Sequence, residues 1–238
     1  MSQQQPFRLF AMTLAVVLLS MLCSTGPTLT QAQDVTDTDA DQRDSEIVVA
    51  RLTYDNGKTA VCFADQFLTT YARETGQNVK RGYEVIALDS GDLFEYPFVV
   101  FSGQESFDLS DKEKQHLKRY IERGGFVLAS AGCSNSAWAR SFEAVFAQLF
   151  GDDALAPLDT DHGLFHTVYD IDVIDVRRPG GRTPIQAMTS GDRVRVLYSP
   201  LGLNDTGNAG GDCCCCGGSE IKNARLINVN ALGYALTR

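Results

Sequence analysis

A single cysteine in this sequence is placed where a nucleophile could work. Cys133 lies in a Gly-Cys-Ser loop between an apolar run and a helical pattern. The N-terminus of a helix lowers the pKa of a nearby thiol, and its free N–H groups can hold an oxyanion. With His162 as a base and Asp161 beside it, this predicts an amidase-type hydrolase. The alternatives for Cys133 are a small residue packed under a helix and half of a disulfide with Cys62.

Two histidines form the second candidate group. His162 and His166 are four residues apart, so on a helix they would share one face and could bind a metal ion with Asp161 or Asp170. Gly163 and the β-branched residues that follow it make this stretch a poor helix. The alternative is that His162 orders a loop through hydrogen bonds to the backbone.

The third group is a run of four cysteines inside a Gly-rich stretch, Cys213, Cys214, Cys215 and Cys216. Four thiolates could bind a soft metal ion such as zinc or copper(I), which predicts a metal-handling or redox protein. The run lacks C-x-x-C spacing, and in an oxidising compartment such thiols tend to form disulfides. The alternative is a flexible low-complexity loop over 204–218. Apart from this possible metal site, the sequence does not indicate which cofactor, if any, the protein binds.

A polar turn follows the first strand of the central unit described below. Its residues are Ser102, Gly103, Gln104 and Glu105. They predict a ligand-binding turn at the edge of a sheet, where Glu105 could serve as an acid or base. The alternative is a solvated strand-to-helix turn. Further along, Arg177, Arg178 and Arg182 could form an anion-binding rim or a solvated loop.

The elements that must position these residues form a βαβα unit over 96–150. Tyr96–Phe101 and Phe126–Ala129 are short apolar runs, the pattern of strands buried on both faces. Between them, a capping-box pattern at Ser110 starts a helix and Gly124 ends it. The carboxyl ends of parallel strands meet at one edge of a sheet, so the loops 102–105 and 131–136 are predicted to lie there together.

The rest of the chain continues this alternation. Strands are predicted at Ile47–Leu52, Tyr83–Leu88, Arg193–Tyr198 and, shorter, Ala154–Leu158, and helices at Ala60–Thr75 and Ile221–Leu236. Strands that alternate with helices predict an α/β fold, a three-layer sandwich with a mostly parallel sheet and helices on both faces. The sequence thus predicts a single α/β domain over 46–238.

Charge and the N-terminus restrict partners and location. A net charge of -9 and a pI near 4.8 argue against nucleic acid and anionic membrane surfaces as partners. Arg8, the apolar run Leu9–Leu22 and small residues up to Ala32 predict a signal peptide over 1–32. An acidic disordered linker is predicted over 33–45. The protein is therefore expected to be periplasmic or secreted, with no membrane span after signal removal; the alternative is an uncleaved N-terminal anchor helix.

Several motifs in combination resemble the family named domain of unknown function 4159. They are Leu93–Phe98, Ser102-Gly103, Leu109–Glu113, Arg119–Phe126, Pro157–His166, Tyr169-Asp170, Val196–Ser199 and Asn228–Leu236. The resemblance implies a flavodoxin-like fold similar to class I glutamine amidotransferase domains, with no established activity. Members are often encoded beside MoxR-type ATPases and von Willebrand factor A-type proteins, which implies a role in cell-envelope assembly.

The chain departs from the patterns that would support catalysis. Amidotransferases usually have G-x-C-x-G around their nucleophile, and here Ala131 and Asn135 stand where the glycines belong. Family members often have Thr-Gly-His-Gly where this chain has residues 102–105. We therefore favour a non-catalytic binding or assembly module with a cell-envelope protein partner. The amidase and the metal or redox protein remain the alternatives.

Overall fold

A mixed sheet of seven strands forms the middle layer of the protein. Its strands are β1 Ala50–Thr53, β2 Glu84–Ala87, β3 Phe98–Gly103, β4 Phe126–Ala131, β5 Ala156–Pro157, β6 Gln186–Ser190 and β7 Arg193–Ser199. Their order is β2-β1-β3-β4-β7-β6-β5. The first five in this order are parallel, whereas β6 pairs antiparallel with β7 and β5 pairs antiparallel with β6. The fold is therefore mixed α/β, with a mostly parallel sheet.

The computed structural model describes residues 46–60, 62–178, 182–205 and 220–237. They belong to one compact unit, Gln42–Arg238. The predicted signal peptide over 1–32 and linker over 33–45 lie outside the described residues. So does most of the predicted Cys/Gly loop, including Cys213–Cys216. Within the described part, no helix has the length and apolar character that crossing a membrane requires.

Helices cover both faces of the sheet. They are α1 Gln66–Thr75, α2 Asp111–Glu122, α3 Ser136–Phe150 and α4 Ala224–Thr237. Short 3-10 helices form at Gly91–Glu95, Gly132–Ser134 and Gly163–His166. The side chains of α1 and α4 pack into one core cluster and those of α2 and α3 into the other. Successive strand residues point to opposite faces, so the central strands β3, β4 and β7 contribute to both clusters.

The two central strands lie side by side and point in the same direction, as predicted. Phe98 pairs with Phe126, and the register continues to Gly103 and Ala131. Every residue of both strands is buried, which explains why they are continuous apolar runs rather than alternating ones. The stacked rings of Phe98 and Phe126, with centroids 5.3 Å apart, hold this register on one face.

Local rules fix the helix between these strands. The Ser110 side chain accepts from the N–H of Glu113, and the Glu113 side chain accepts from the N–H of Ser110, so the predicted capping box is confirmed. Gly124 follows the helix with φ +98°, a conformation that glycine adopts without a Cβ clash. The helix therefore starts and ends where its sequence indicates.

One prediction about the elements was wrong, and one strand was not predicted. The first predicted helix begins at Gln66 rather than Ala60, because the preceding segment is held by tertiary contacts: Ala64 N–H donates to the Asn204 carbonyl, and the Asn204 amide donates to the Cys62 carbonyl. The antiparallel strand β6 was missed, because its pairing with β7 contains a register shift at Met188 that breaks regular alternation.

Candidate functional site

The carboxyl edge of the parallel strands contains the point where the strand order reverses. β1 lies between β2 and β3, so the chain leaves β1 toward one side and later returns on the other. The loops after β1 and β3 consequently diverge and leave a crevice, which is where open α/β sheets bind ligands. The predicted turn Ser102–Glu105 spans the end of β3 and this crevice.

A cleft of about 340 Å³ opens at this position. We call it the switch-point cleft; it is lined by Tyr54, Gly57, Lys58, Thr59, Gly103, Gln104 and Glu105. The hydroxyl of Thr59 is buried without a hydrogen-bond partner in the described structure. Glu105 is exposed and Gln104 is half-buried. Three of the four predicted ligand-binding residues thus line a cleft, while Ser102 is buried behind them.

Ser102 belongs to the polar layer beneath the cleft. Its hydroxyl donates to the Ser130 carbonyl at 2.7 Å, and its own carbonyl accepts from the Tyr54 hydroxyl at 3.0 Å. Tyr54 in turn accepts from the indole N–H of Trp138 at 2.7 Å. Burial raises the pKa of Tyr54 well above its ordinary value, while the Trp138 hydrogen bond opposes that shift. The hydroxyl therefore stays protonated and keeps donating to β3.

Gly103 allows this layer to form. A Cβ at this position would lie 2.0 Å from the Tyr54 hydroxyl oxygen and 2.5 Å from Trp138 Nε1. Both atoms are held by their shared hydrogen bond, so neither could move aside without breaking it. A side chain of any size at 103 is therefore incompatible with the floor of the cleft.

A left-handed turn shapes the other wall. Asp55 and Asn56 have φ of +43° and +61°, both in the left-handed region. The Asp55 carboxylate accepts from Lys58 Nζ at 2.7 Å and from the N–H of Asp108 at 3.2 Å. The hydrogen bond from Lys58, followed by the one from Asp108, holds the pKa of Asp55 below its ordinary value, although partial burial opposes this. The Asp55–Lys58 pair therefore stays charged and fixes the loop.

Cys133 lies next to the cleft, at a strained turn between β4 and α3. Its φ and ψ are +54° and +30°, and Ser134 also has a positive φ. The Asn135 side chain caps α3 by accepting from two backbone N–H groups, and the Ser134 hydroxyl donates to the Leu201 carbonyl. These contacts hold a conformation that costs roughly 1–2 kcal/mol per residue. Strained turns of this kind are typical of functional sites.

The sulfur of Cys133 meets the predicted ligand-binding turn but is not a free thiol. The Gln104 side-chain amide donates to Cys133 Sγ at 3.3 Å, so the two loops predicted to share this edge do meet. Cys62 and Cys133 are each disulfide-bonded. A disulfide sulfur has no thiolate form, so nucleophilic chemistry at Cys133 requires prior reduction.

The structure does not bring His162 and Asp161 to Cys133. The His162 ring lies 5.8 Å from the ring of Tyr234, whose hydroxyl accepts from Val194 N–H at the start of β7. β7 is parallel to β4, so His162 is at the amino edge of the sheet and Cys133 at the carboxyl edge. Asp161 is exposed in the same loop as His162. The predicted catalytic group is therefore not assembled, because two edges separated by a strand length of about 20 Å cannot share a proton.

The histidines order their own loop. His162 Nδ1 accepts from Leu164 N–H at 3.1 Å, which caps the short 3-10 helix. His166 contacts the Asp170 carboxylate at 3.1 Å through Nδ1 and the Thr160 carbonyl at 2.8 Å through Nε2. In the part of the chain that the structure describes, no group of three or more His, Cys, Asp or Glu side chains is placed to hold a metal ion.

Sequence reasoning missed the residues that connect the loops of this edge. Asn204 accepts from the Ser130 hydroxyl at 2.5 Å through its side-chain oxygen and donates to the Cys62 carbonyl at 3.2 Å. The side-chain amide of Asn228 donates to the carbonyl of Leu203, the residue before Asn204. These amides are fully buried, and an asparagine within an apolar helix pattern, as at 228, is the signal that could have indicated them.

Comparison with known proteins gives a family match and one structural similarity of note. A family model described as a domain of unknown function (DUF4159) matches residues 48–236, which includes every strand. No curated protein matches the chain. Among solved structures, the chain is similar to a protein described as ThuA-like from Bacteroides uniformis ATCC 8492. That match has 12% identity and a TM-score of 0.38, and covers 84% of this chain and 95% of the other.

Proposed function

We propose, from the premise that this chain belongs to the DUF4159 family of domains of unknown function, that it is a non-catalytic binding module of the cell envelope. It takes its partner at the carboxyl edge of the sheet. The observation that carries the proposal is the switch-point cleft, a 340 Å³ space between the loops after β1 and β3. The unpartnered Thr59 hydroxyl in its wall is a group that a bound molecule would satisfy.

The strand order supports a flavodoxin-like assignment. The five parallel strands follow the order β2-β1-β3-β4-β7, which corresponds to 2-1-3-4-5 once the antiparallel pair is set aside. In flavodoxin-like folds the ligand lies at the reversal between the first and third strands. The cleft occupies the equivalent position here. The fold likeness supports the place of binding and carries no chemistry with it.

The state of Cys133 favours binding over hydrolysis. Its sulfur is in a disulfide, and the base predicted for it lies at the other edge of the sheet. Acyl transfer needs a nucleophile within hydrogen-bond reach of a base. The groups that remain at the cleft are an amide, a carboxylate, an ammonium and a hydroxyl, which suit recognition by hydrogen bonds.

The disulfide bonding of Cys62 and Cys133 also supports export. Disulfides form and persist in oxidising compartments such as the periplasm and the extracellular space. Cys62 and Cys133 are each disulfide-bonded, and Cys62 is buried. Together with the predicted signal peptide over 1–32, this supports a periplasmic or secreted location. A cell-envelope protein is the partner that fits such a location.

Site-specific photo-cross-linking tests the proposal. A photoreactive phenylalanine analogue is introduced at Glu105, at the cleft, and for comparison at Gln115, on the exposed face of α2. In intact cells we expect an adduct with one protein from position 105 and none from position 115. Adducts of equal yield from both positions, or none from either, would overturn the proposal.

A hydrolysis assay tests the amidase alternative in the same material. The full chain is incubated with glutamine and with N-acetylglutamine amide, before and after reduction, and released ammonia is measured. We expect no release in either state. Turnover by the reduced protein that Cys133→Ser abolishes and Cys62→Ser retains would establish the hydrolase and refute the non-catalytic module.

A further inference from the structure

Two arginines stack on one aromatic ring at the end of α2, far from the cleft. The guanidinium carbons of Arg119 and Arg123 lie 5.5 Å and 5.1 Å from the ring centroid of Phe94. The His116 ring is 5.6 Å from the same ring. We call these four residues the arginine patch. Because α2 runs back from the carboxyl edge of the sheet, the patch lies at the amino edge, opposite the switch-point cleft.

The two guanidinium groups are exposed and make no ion pair within the described structure. The lysines on the same helix behave differently: Lys118 pairs with Glu122 at 2.8 Å, and Lys112 pairs with Asp89 at 3.2 Å. The chain has 30 acidic residues against 21 basic ones, so carboxylates are abundant. Arg119 and Arg123 therefore differ from these lysines of α2, because their charges form no ion pair within the described residues.

A pocket of about 300 Å³ adjoins the patch. It is lined by Phe94, Glu95, Tyr96, Pro97, Tyr120, Arg123, Gly124 and Gly125. Its walls are fixed, since the Tyr120 hydroxyl donates to the Tyr96 carbonyl at 2.8 Å and Arg195 Nη1 donates to the Gly124 carbonyl at 2.8 Å. A third arginine is thus held beside the same pocket.

Stacking prepares these guanidinium groups for anions. A guanidinium held over a ring by cation–π attraction keeps N–H groups free, and these groups match a carboxylate with two parallel hydrogen bonds. The stack also restricts the side chains before binding, which lowers the entropy cost of ordering them. The aromatic and aliphatic walls of the pocket suit an apolar side chain.

We propose that the arginine patch is a docking surface for an acidic segment of a protein partner, whose carboxylates pair with Arg119 and Arg123 while a neighbouring apolar side chain enters the pocket. The argument is charge complementarity: the net charge of -9 disfavours contact with an acidic segment in general, whereas this surface places two unpaired guanidinium groups beside a pocket with aromatic walls. This inference rests on the proposed function only in requiring that the partner is a protein. It concerns a different surface from the cleft.

A binding titration tests it with a defined probe. A fluorescent peptide of acidic residues around one phenylalanine is titrated with the full chain, and its anisotropy is followed at low and high salt. For Arg119→Gln combined with Arg123→Gln we expect affinity about tenfold weaker and a reduced salt dependence. The matched control removes the same charge from the same helix, Lys112→Gln with Lys118→Gln, and should change affinity less than about twofold.

Each other outcome counts against the proposal. Equal losses of peptide affinity in the two double variants would show that the peptide is attracted by overall charge rather than by the arginine patch. Absence of binding by the unmodified chain would refute the docking surface. Vesicles of phosphatidylglycerol and phosphatidylethanolamine that bind in an arginine-dependent way, where the peptide does not, would assign the patch to a membrane instead. Glu105→Arg should leave peptide affinity unchanged, so failure at the cleft and failure at the patch are distinguishable.

Discussion

Replacing Tyr54 with phenylalanine removes a single oxygen atom from the floor of the switch-point cleft. That oxygen accepts from Trp138 Nε1 at 2.7 Å and donates to the Ser102 carbonyl at 3.0 Å. Tyr54 is 2% exposed and Trp138 is 0% exposed, so water cannot take over either role. An orphaned buried donor costs about 1–3 kcal/mol, and a lost hydrogen bond about 1 kcal/mol. We therefore expect Tyr54→Phe to lower the free energy of unfolding by about 2–3 kcal/mol.

Equilibrium unfolding in urea, without reductant so that the disulfides stay intact, measures this change. For a domain of this size the same loss lowers Tm by roughly 5–10 °C. Tyr96→Phe is the matched control, because Tyr96 is half-buried and its hydroxyl makes no hydrogen bond to any described residue. Its free energy of unfolding should stay within about 0.5 kcal/mol of the unmodified protein.

A double-mutant cycle with Trp138→Phe isolates the hydrogen bond itself. The single Trp138 variant also leaves a cavity, so its own cost is larger and uninformative alone. If the indole N–H and the phenol are coupled, the double variant should cost about 1 kcal/mol less than the sum of the two single ones. Additive costs, or a loss below about 0.5 kcal/mol for Tyr54→Phe, would refute the account of this layer.

Two further predictions concern an anchored carboxylate and a titrating histidine. Glu113→Ala should cost about 1–3 kcal/mol in unfolding free energy, because its carboxylate accepts from the backbone N–H groups of the α2 N-cap and of the loop after β1. Glu122→Ala, exposed at the other end of the helix, should cost under about 0.5 kcal/mol, and equal losses would contradict this role. The hydrogen bond to Asp170 raises the pKa of His166, so the stability it adds is complete below pH 6.5 and disappears as pH rises through the folded pKa. In NMR titrations Asp170→Asn should lower the pKa of His166 more than Asp172→Asn does, and the reverse order would be evidence against this cause.

The central unit could be predicted because its signals are local. The capping box at Ser110 and the left-handed Gly124 fix the helix α2 through contacts within a few residues. The flanking strands β3 and β4 are buried on both faces, and this burial is visible in the sequence as continuous apolar runs. The pairing of β3 with β4 then follows from the preference for short right-handed crossovers.

The site was predictable in position but not in composition. Because the carboxyl ends of parallel strands meet at one edge of a sheet, the loops that contain Gln104 and Cys133 were correctly predicted to lie together. It could not reveal that Tyr54 and Trp138, 84 residues apart, share one hydrogen bond, nor that Asn204 bonds both to β4 and to the segment before α1. Such pairs leave no periodic trace in a sequence, because each partner satisfies only its own local pattern. The predicted dyad of Cys133 and His162 failed for the same reason, since sequence does not show at which edge of a sheet a distant loop lies.

The sequence by itself determined the apolar strands, the helix boundaries set by capping and glycine, and the mixed α/β class. These features depend on interactions between residues close in sequence and on burial, and both are indicated by the residue types themselves. The tertiary structure alone decided which loops meet at the cleft, that Cys133 is in a disulfide, and that three arginines gather beside one pocket. Those arrangements depend on how strands are ordered across the sheet, and strand order is chosen by the energy of the whole packed core rather than by any one segment.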